Sequence, residues 1–219
     1  MKEITGMELE VVSGEGGDED DILIESLPED TYDTGEEGYL LKADDGGIHI
    51  SSNGYTGCLY GTKTLEQVYY TQDGTYSFPK GVTRDFSQYE VRGVMIDIAR
   101  VPYRLDALKD IVKTFSFYKI NEVHFHLNDN RHSGATTGRE DYNNWKNYKG
   151  MFRLESKTFP SLKTDPQQNA YYNDENGAYG GEPQYTAEEY KDLQQFAMDC
   201  GMNPICLLYT SDAADEARS

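Results

Sequence analysis

Apolar residues along this chain follow two rhythms. In the first, Gly38 to Ser52 (GYLLKADDGGIHISS) alternates apolar and polar positions on both sides of Asp44-Asp45-Gly46-Gly47. Alternation flanking such a turn predicts a β-hairpin. Tyr55 to Tyr70 then changes period, with Leu59, Thr62, Leu65, Val68 and Tyr69 spaced for one face of a helix. A polar loop, Pro79 and GVTRDFSQY complete the stretch. Together these elements predict a small α+β domain over residues 1–88.

The second rhythm begins at Tyr89. VRGVMIDIAR (Val91 to Arg100) is a continuous apolar run with Asp97 near its end, the pattern of a strand buried on both faces. RLDALKDIVKTFSFYKI follows as an amphipathic helix with Leu105, Leu108, Ile111, Val112 and Phe115 on one face. NEVHFHLNDN (Asn121 to Asn130) predicts a second buried strand. After a long polar excursion, TAEEYKDLQQFAMDCG predicts a second helix. Thr186 and Glu189 form its capping box, Gly201 ends it, and Tyr190, Leu193, Phe196, Ala197 and Cys200 make its inner stripe. MNPICLLY is a candidate third strand. Strand, helix, strand, helix, strand at these lengths predicts an α/β fold with a parallel sheet. A (β/α)8 TIM barrel and a doubly wound sheet both fit. No glycine-rich phosphate loop follows the first strand, which disfavours dinucleotide binding and phosphate ligands.

Composition narrows the partners. Twenty basic against 39 acidic residues give a formal charge of −19, which argues against nucleic acid and against anionic membrane surfaces. Eighteen tyrosines suit neutral, hydroxyl-rich ligands. No apolar run approaches the about 20 residues that span a bilayer. The start, MKEITGMELEVV, has no apolar core of a secretion signal. Cys58, Cys200 and Cys206 contain no C-x-x-C pair, so neither a disulfide framework nor a zinc site is expected. Fourteen acidic residues and no Lys or Arg between Glu3 and Glu37 predict a solvated, partly mobile lead-in over residues 1–37. That run lacks the spaced ligands of a calcium-binding loop.

Polar groups at the ends of apolar strands are the candidate chemistry. In a barrel, Asp97 and the cluster Asn128, Asp129 and Asn130 would face one mouth, where carboxylates and amides can fix hydroxyls or orient a histidine. Local alternatives stay open. Asp97 is equally suited to pairing with Arg100 or Arg92, and Asp129 to capping a βα loop. His124 and His126 share a strand face, but no third ligand stands at a usual metal spacing, so packing or support of the site is favoured. Trp145, Tyr142, Tyr148, Tyr171, Tyr172 and Tyr179 are candidates for stacking on sugar rings or for packing their own loop. His132 is expected to be exposed and without a task.

These residues also carry a resemblance. YEVRGVMIDIARVPY, a helix, and then KINEVHFHLNDN resemble the opening of the catalytic barrel of family 20 glycoside hydrolases, the β-N-acetylhexosaminidases. EEGYLLKADDGGIHISSNGYTGCLYGTKTLEQV resembles the family's non-catalytic α+β domain, with Lys63 where Gln is commoner. FRLESKTFPSL resembles the segment after the second barrel strand, and H-L-N-D-N with F-R-L-E-S is closer to the lacto-N-biosidase-like branch. The resemblance covers roughly residues 22–203.

It implies a small α+β domain over residues 1–88 followed by the first βα units of an incomplete (β/α)8 TIM barrel over residues 89–203. Its partners would be N-acetylhexosamine-terminated glycans, bound without a cofactor or metal. Arg92 would grip hydroxyls of the terminal sugar, since a guanidinium donates in fixed directions. Asp129 would support a catalytic-site histidine, with Asn130, His126 and Arg153 as further binding candidates. Arg92 and Asp129 are thus expected to end neighbouring strands and to converge on one sugar-sized hollow. The family's reaction is substrate-assisted and uses an Asp-Glu pair in an H-x-G-G-D-E motif. That motif is absent here; Asp174-Glu175 and Asp215-Glu216 lack its context. After CGMN the sequence departs from the family pattern, so residues 204–219 are expected to be a non-native tail and the chain to be inactive. A non-catalytic sugar-binding protein is the alternative. The location stays open: family habit makes an extracytoplasmic one plausible, and nothing at Met1 marks it.

Overall fold

A computed structural model describes residues 8–14, 21–72, 75–99, 103–130, 150–160 and 184–207. The chain divides into two compact units: Met1–Glu90 with Phe117–Lys119, and Val91–Ser116 with Ile120–Ser219.

The first unit is built on a four-stranded sheet of β1 (Ile22–Ser26), β2 (Tyr39–Asp44), β3 (Gly47–Ser52) and β6 (Gly81–Asp85) in the order β1-β3-β2-β6. The expected hairpin forms between β2 and β3. Asp44 pairs with Gly47, which leaves Asp45 and Gly46 as a tight turn. Gly47 takes φ 101°, a conformation open mainly to glycine. β4 (Tyr70–Gln72) and β5 (Thr75–Ser77) form a separate ribbon. The acidic lead-in is more structured than its composition predicts. β1 runs parallel to β3, and the Asp30 carboxylate accepts the N–H groups of Thr34 and Gly35 at 2.8–3.0 Å. The apolar run Ile22-Leu23-Ile24, with a sheet edge to join, outweighs the local excess of charge.

Helix α1 (Tyr55–Val68) forms, but it turns a different face inward from the one its apolar spacing predicts. Gly57, Cys58, Tyr60, Gly61 and Leu65 are buried, whereas Val68 is exposed. The glycines explain the rotation. A Cβ on Gly61 would strike the Ile50 side chain, and one on Gly57 would strike Ser52 and the Gly38 carbonyl. The helix therefore lies close on β3 along its glycine edge, a signal that apolar periodicity does not register. Tyr39, Leu41, Ile50, Tyr60 and Leu65 make this unit's core.

Segment Phe117–Lys119 groups with the first unit. Lys119 adopts φ 58°, and its ammonium donates to Tyr39 Oη at 2.8 Å, Thr64 Oγ1 at 2.7 Å and Asp85 Oδ2 at 2.7 Å. All three ammonium protons thus have acceptors. Burial raises the Asp85 pKa, but the hydrogen bonds from Lys119 and Tyr39 outweigh it and hold the carboxyl below its usual range.

The second unit contains β7 (Gly93–Asp97), β8 (Glu122–His126) and β11 (Asn203–Leu207), a parallel sheet in the order β11-β8-β7. Helix α2 (Leu105–Phe117) connects β7 to β8, and helix α3 (Ala187–Asp199) precedes β11. Ile96, Val123 and Phe125 from the strands pack with Leu108, Val112, Leu193 and Ala197 from the helices. Each buried Ile, Val, Leu or Phe among them contributes about 1.5–3 kcal/mol, and Ala197 less. The expected faces of α2 and α3 are the ones that pack. The Thr186–Glu189 capping box is present, and Gly201 takes φ 79°.

Two strand expectations change. NEVHFHLNDN is not one strand: β8 ends at His126, and β9 (Asn128–Asn130) pairs antiparallel with β10 (Gly150–Phe152). Leu127 between them is fully buried, and its carbonyl accepts the Arg153 N–H at 2.9 Å. Backbone pairing also runs through Pro204–Leu207, residues expected to lie in the tail. Residues 208–219 lie outside the described residues.

Candidate active site at the ends of the parallel strands

Strand parity places the site. Gly93, Met95 and Asp97 on β7 share a sheet face with Glu122, His124 and His126 on β8, because they pair in register and side chains alternate. The opposite parity carries the apolar residues that meet the helices. The polar face ends in the pair Asp97↔His126, at the C-terminal edge of the sheet.

There three ionisable groups meet. His126 is 4% exposed. Its Nε2 lies 3.2 Å from Asp129 Oδ2, and its Nδ1 lies 4.0 Å from Asp97 Oδ1. One ligand atom from each residue lies within 4.8 Å of the others. That spacing is compatible with a shared cation. Neither ring nitrogen makes a hydrogen bond, so the two carboxylates act on the imidazole through charge rather than as hydrogen-bond acceptors. Both carboxylates remain partly exposed, Asp97 at 29% and Asp129 at 19%. A carboxylate has about four acceptor positions, so each can also face a ligand hydroxyl or N–H. Lower on the same face, His124 Nε2 contacts Glu122 Oε2 at 3.4 Å.

Backbone and buried side chains fix these positions. Asp97 Oδ1 accepts the Ala99 N–H at 3.1 Å, and Ile98 N–H donates to the His126 carbonyl at 3.1 Å. Arg153 is fully buried and donates from Nε to the Ala99 carbonyl at 2.9 Å. Its own carbonyl accepts the Tyr185 N–H at 2.6 Å. The Tyr185 hydroxyl donates to the Tyr103 carbonyl at 2.6 Å, and burial pushes its pKa up to about 12.

The sequence-derived site is only partly reproduced. Arg92 is at the wrong end of the sheet. It precedes β7, its N–H donates to Asn121 Oδ1 at 2.8 Å, and its carbonyl accepts N–H groups at the start of β8. Five residues separate it from Asp97, about 16 Å at about 3.3 Å per strand residue, farther than an arginine side chain reaches. The expected convergence of Arg92 and Asp129 is therefore overturned. The motif is longer than the strand it contains, so its first and last polar residues fall at opposite ends of the sheet. Arg153 is close to the site but enclosed, joining strand ends rather than facing a ligand. His126 is also enclosed, between two carboxylates. Asp129 is at the strand ends as expected. Asn130 lies in β9, opposite Gly150.

Two contributors were undervalued. Asp97 was seen as a candidate but not linked to His126; equal parity at two strand ends was the available signal. Tyr185 was missed. It precedes the Thr186 cap, and both it and Tyr190 are buried in one core, the positions of a hydrophobic staple. Arg100, His132, Tyr142, Trp145, Tyr148, Tyr171, Tyr172 and Tyr179 lie outside the described residues.

A parallel strand-helix series with carboxylates and a histidine at its C-terminal edge, following an α+β domain, has the layout of the opening units of a TIM barrel that carries an accessory domain. Residues 1–86 match the model for "Glycosyl hydrolase family 20, domain 2", and residues 89–133 match that for "Glycosyl hydrolase family 20, catalytic domain". The chain belongs to glycosyl hydrolase family 20. A β-N-acetylhexosaminidase of Cellulomonas fimi is 33% identical over 132 residues, 58% of this chain and 26% of that protein. A β-hexosaminidase of Vibrio furnissii is 26% identical over 192 residues, 84% of this chain and 27% of that protein. The chain thus spans about a quarter of these relatives' length. In structure it is similar to a mutant Streptomyces plicatus β-hexosaminidase solved with the product GlcNAc. The TM-score is 0.69 at 23% identity, covering 94% of this chain and 36% of that one.

Proposed function

We propose that this chain supplies the accessory domain and the first barrel strands of an exo-acting β-N-acetylhexosaminidase. The enzyme would release terminal β-linked N-acetylhexosamine from glycans by substrate-assisted, retaining hydrolysis. The observation that carries the reading is the meeting of Asp97, His126 and Asp129 at the C-terminal edge of adjacent parallel strands, within the family 20 match.

In such a reaction the substrate's acetamido oxygen attacks the anomeric carbon and expels the leaving oxygen, which a carboxylic acid protonates; water then opens the cyclic intermediate. Attack and protonation both need an Asp-Glu pair in an H-x-G-G-D-E setting, which these 219 residues do not contain. The part assigned to this chain is positional. Asp129 supports the catalytic edge, and Asp97 and Asp129 offer acceptors to sugar hydroxyls. Release of a disaccharide, as in the lacto-N-biosidase-like branch, is the finer reading suggested by H-L-N-D-N.

A chromogenic β-N-acetylglucosaminide tests the assignment. The 219-residue chain alone is expected to give no turnover, and the same chain extended through an H-x-G-G-D-E segment in its own reading frame is expected to turn over. Turnover by the short chain would refute the assigned division of labour. An inactive extension that still binds GlcNAc would favour a sugar-binding protein without catalysis.

A further inference from the structure

We propose that Asn53 is a modification site locked by the fold. It converts to isoaspartate when the junction between β3 and α1 opens, and the product then keeps that junction from closing. Nothing in this step depends on glycosidase activity.

The sequence supplies the reactive pair. Asn53 is followed by Gly54. A glycine leaves its main-chain nitrogen open to attack the preceding carboxamide, because no Cβ shields it. The deprotonated Gly54 nitrogen attacks Asn53 Cγ. A Cγ–N bond forms, the bond from Cγ to the side-chain nitrogen breaks, and that nitrogen takes up the proton and leaves as ammonia. Water then opens the cyclic imide. Opening at the main-chain carbonyl gives isoaspartate, in which the backbone runs through the side-chain carbon.

The closed junction opposes this reaction at two points. Attack places negative charge on Asn53 Oδ1, and that oxygen is buried and accepts no hydrogen bond. An oxyanion there would have neither a donor nor solvent to stabilise it. The attacking nitrogen is also engaged: the Gly54 N–H donates to Ser52 Oγ at 3.2 Å, and Ser52 Oγ donates to the Gly38 carbonyl at 2.6 Å.

The same packing demands the reactive pair and bars its product. A Cβ on Gly54 would lie 2.5 Å from the Glu36 carbonyl oxygen, so a larger, slower-reacting residue is excluded there. Isoaspartate adds a backbone carbon between Ser52 and Gly54. The chain has no clearance for it, because the Gly57 N–H must still reach the Glu36 carbonyl at 3.2 Å.

The test incubates the 219-residue chain in mildly alkaline buffer with increasing guanidinium chloride. Mass spectrometry of the Asn53 peptide follows conversion, and chromatography separates its isoaspartyl form. Conversion at the chain's other Asn-Gly pair, Asn176-Gly177, in full denaturant serves as the internal standard for the chemistry. Without denaturant, Asn53 is expected to convert at least about tenfold more slowly than in full denaturant, since the native rate is scaled by the fraction of molecules open at the junction. At low denaturant its rate should rise in proportion to hydrogen exchange of the Gly54 amide. In those samples, peptides of β3 and α1 that carry isoaspartate are expected to exchange fully, while unmodified ones stay protected. Native conversion as fast as denatured conversion overturns the proposal. So does conversion that stays constant while Gly54 exchange accelerates, or protection of the isoaspartyl peptides equal to that of the unmodified ones.

Discussion

Among the described residues, a dense polar cluster stands in each unit of this chain, and the two differ in the groups that meet. Around Lys119, three donor protons meet three oxygens, from Tyr39, Thr64 and Asp85. Around His126, two carboxylates share one imidazole. The first cluster is complementary in number and sign, as a structural tie should be. The second sets two partly exposed carboxylates beside a buried imidazole, at the edge of a parallel sheet where α/β barrels place their chemistry. The first ties segments of one unit together; the second presents carboxylate surface to solvent at the strand ends.

The largest break is expected next to the second cluster. Arg153→Met keeps the stem but removes the guanidinium that satisfies the Ala99 carbonyl in a fully buried setting. A loss of about 3 kcal/mol is expected, since hydrogen bonds to charged groups are worth about 1.5–3 kcal/mol and the abandoned acceptor adds a desolvation cost. Urea unfolding followed at Tyr185 and Tyr190 would register it.

A smaller loss should follow Lys119→Met in the first unit. Lys119 and Asp85 are partly exposed, so solvent screening lowers the expected cost to about 1–2 kcal/mol. Amide hydrogen exchange in β2 and α1 would read it directly. No change there would show that the tie is dispensable.

Acid should distinguish the same tie. The folded Asp85 pKa lies below the usual carboxylate range, so the stabilisation it brings is present above about pH 4, the pKa of an unfolded Asp, and is lost as pH falls through the folded pKa. The first unit is expected to lose protection over that window, and Asp85→Asn to flatten the loss attributable to this group. A variant as acid-sensitive as the wild type would contradict the assignment.

The smallest effect is expected at the turn. Lys80 pairs with Asp45 across an exposed surface, where the side chains are 64% and 91% accessible. Lys80→Ala should change stability by less than about 0.5 kcal/mol, since exposed pairs are worth little. A loss comparable to that of Lys119→Met would mean that exposure, not complementarity, had been misjudged.

The sequence by itself determined the elements and their kind. Alternation flanking Asp44–Gly47 specified the β2–β3 hairpin, and helical periodicity specified α2 and α3 with their inner faces. The Thr186–Glu189 box placed the start of α3 to the residue. These signals are local, because backbone period and cap chemistry act within a few positions. The motifs also carried the family.

Tertiary structure alone decided which chemical groups meet. Arg92 and Asp97 stand five positions apart in one motif, yet Arg92 precedes β7 and Asp97 ends it. Asp97 and His126 stand far apart in sequence, yet they pair in register at one edge. The inner face of α1 followed its glycines, through close approach to Ile50 and Ser52, rather than its apolar spacing. In each case the deciding quantity was a distance set by strand register or helix approach. Such distances come from packing between elements, which no single segment of sequence encodes.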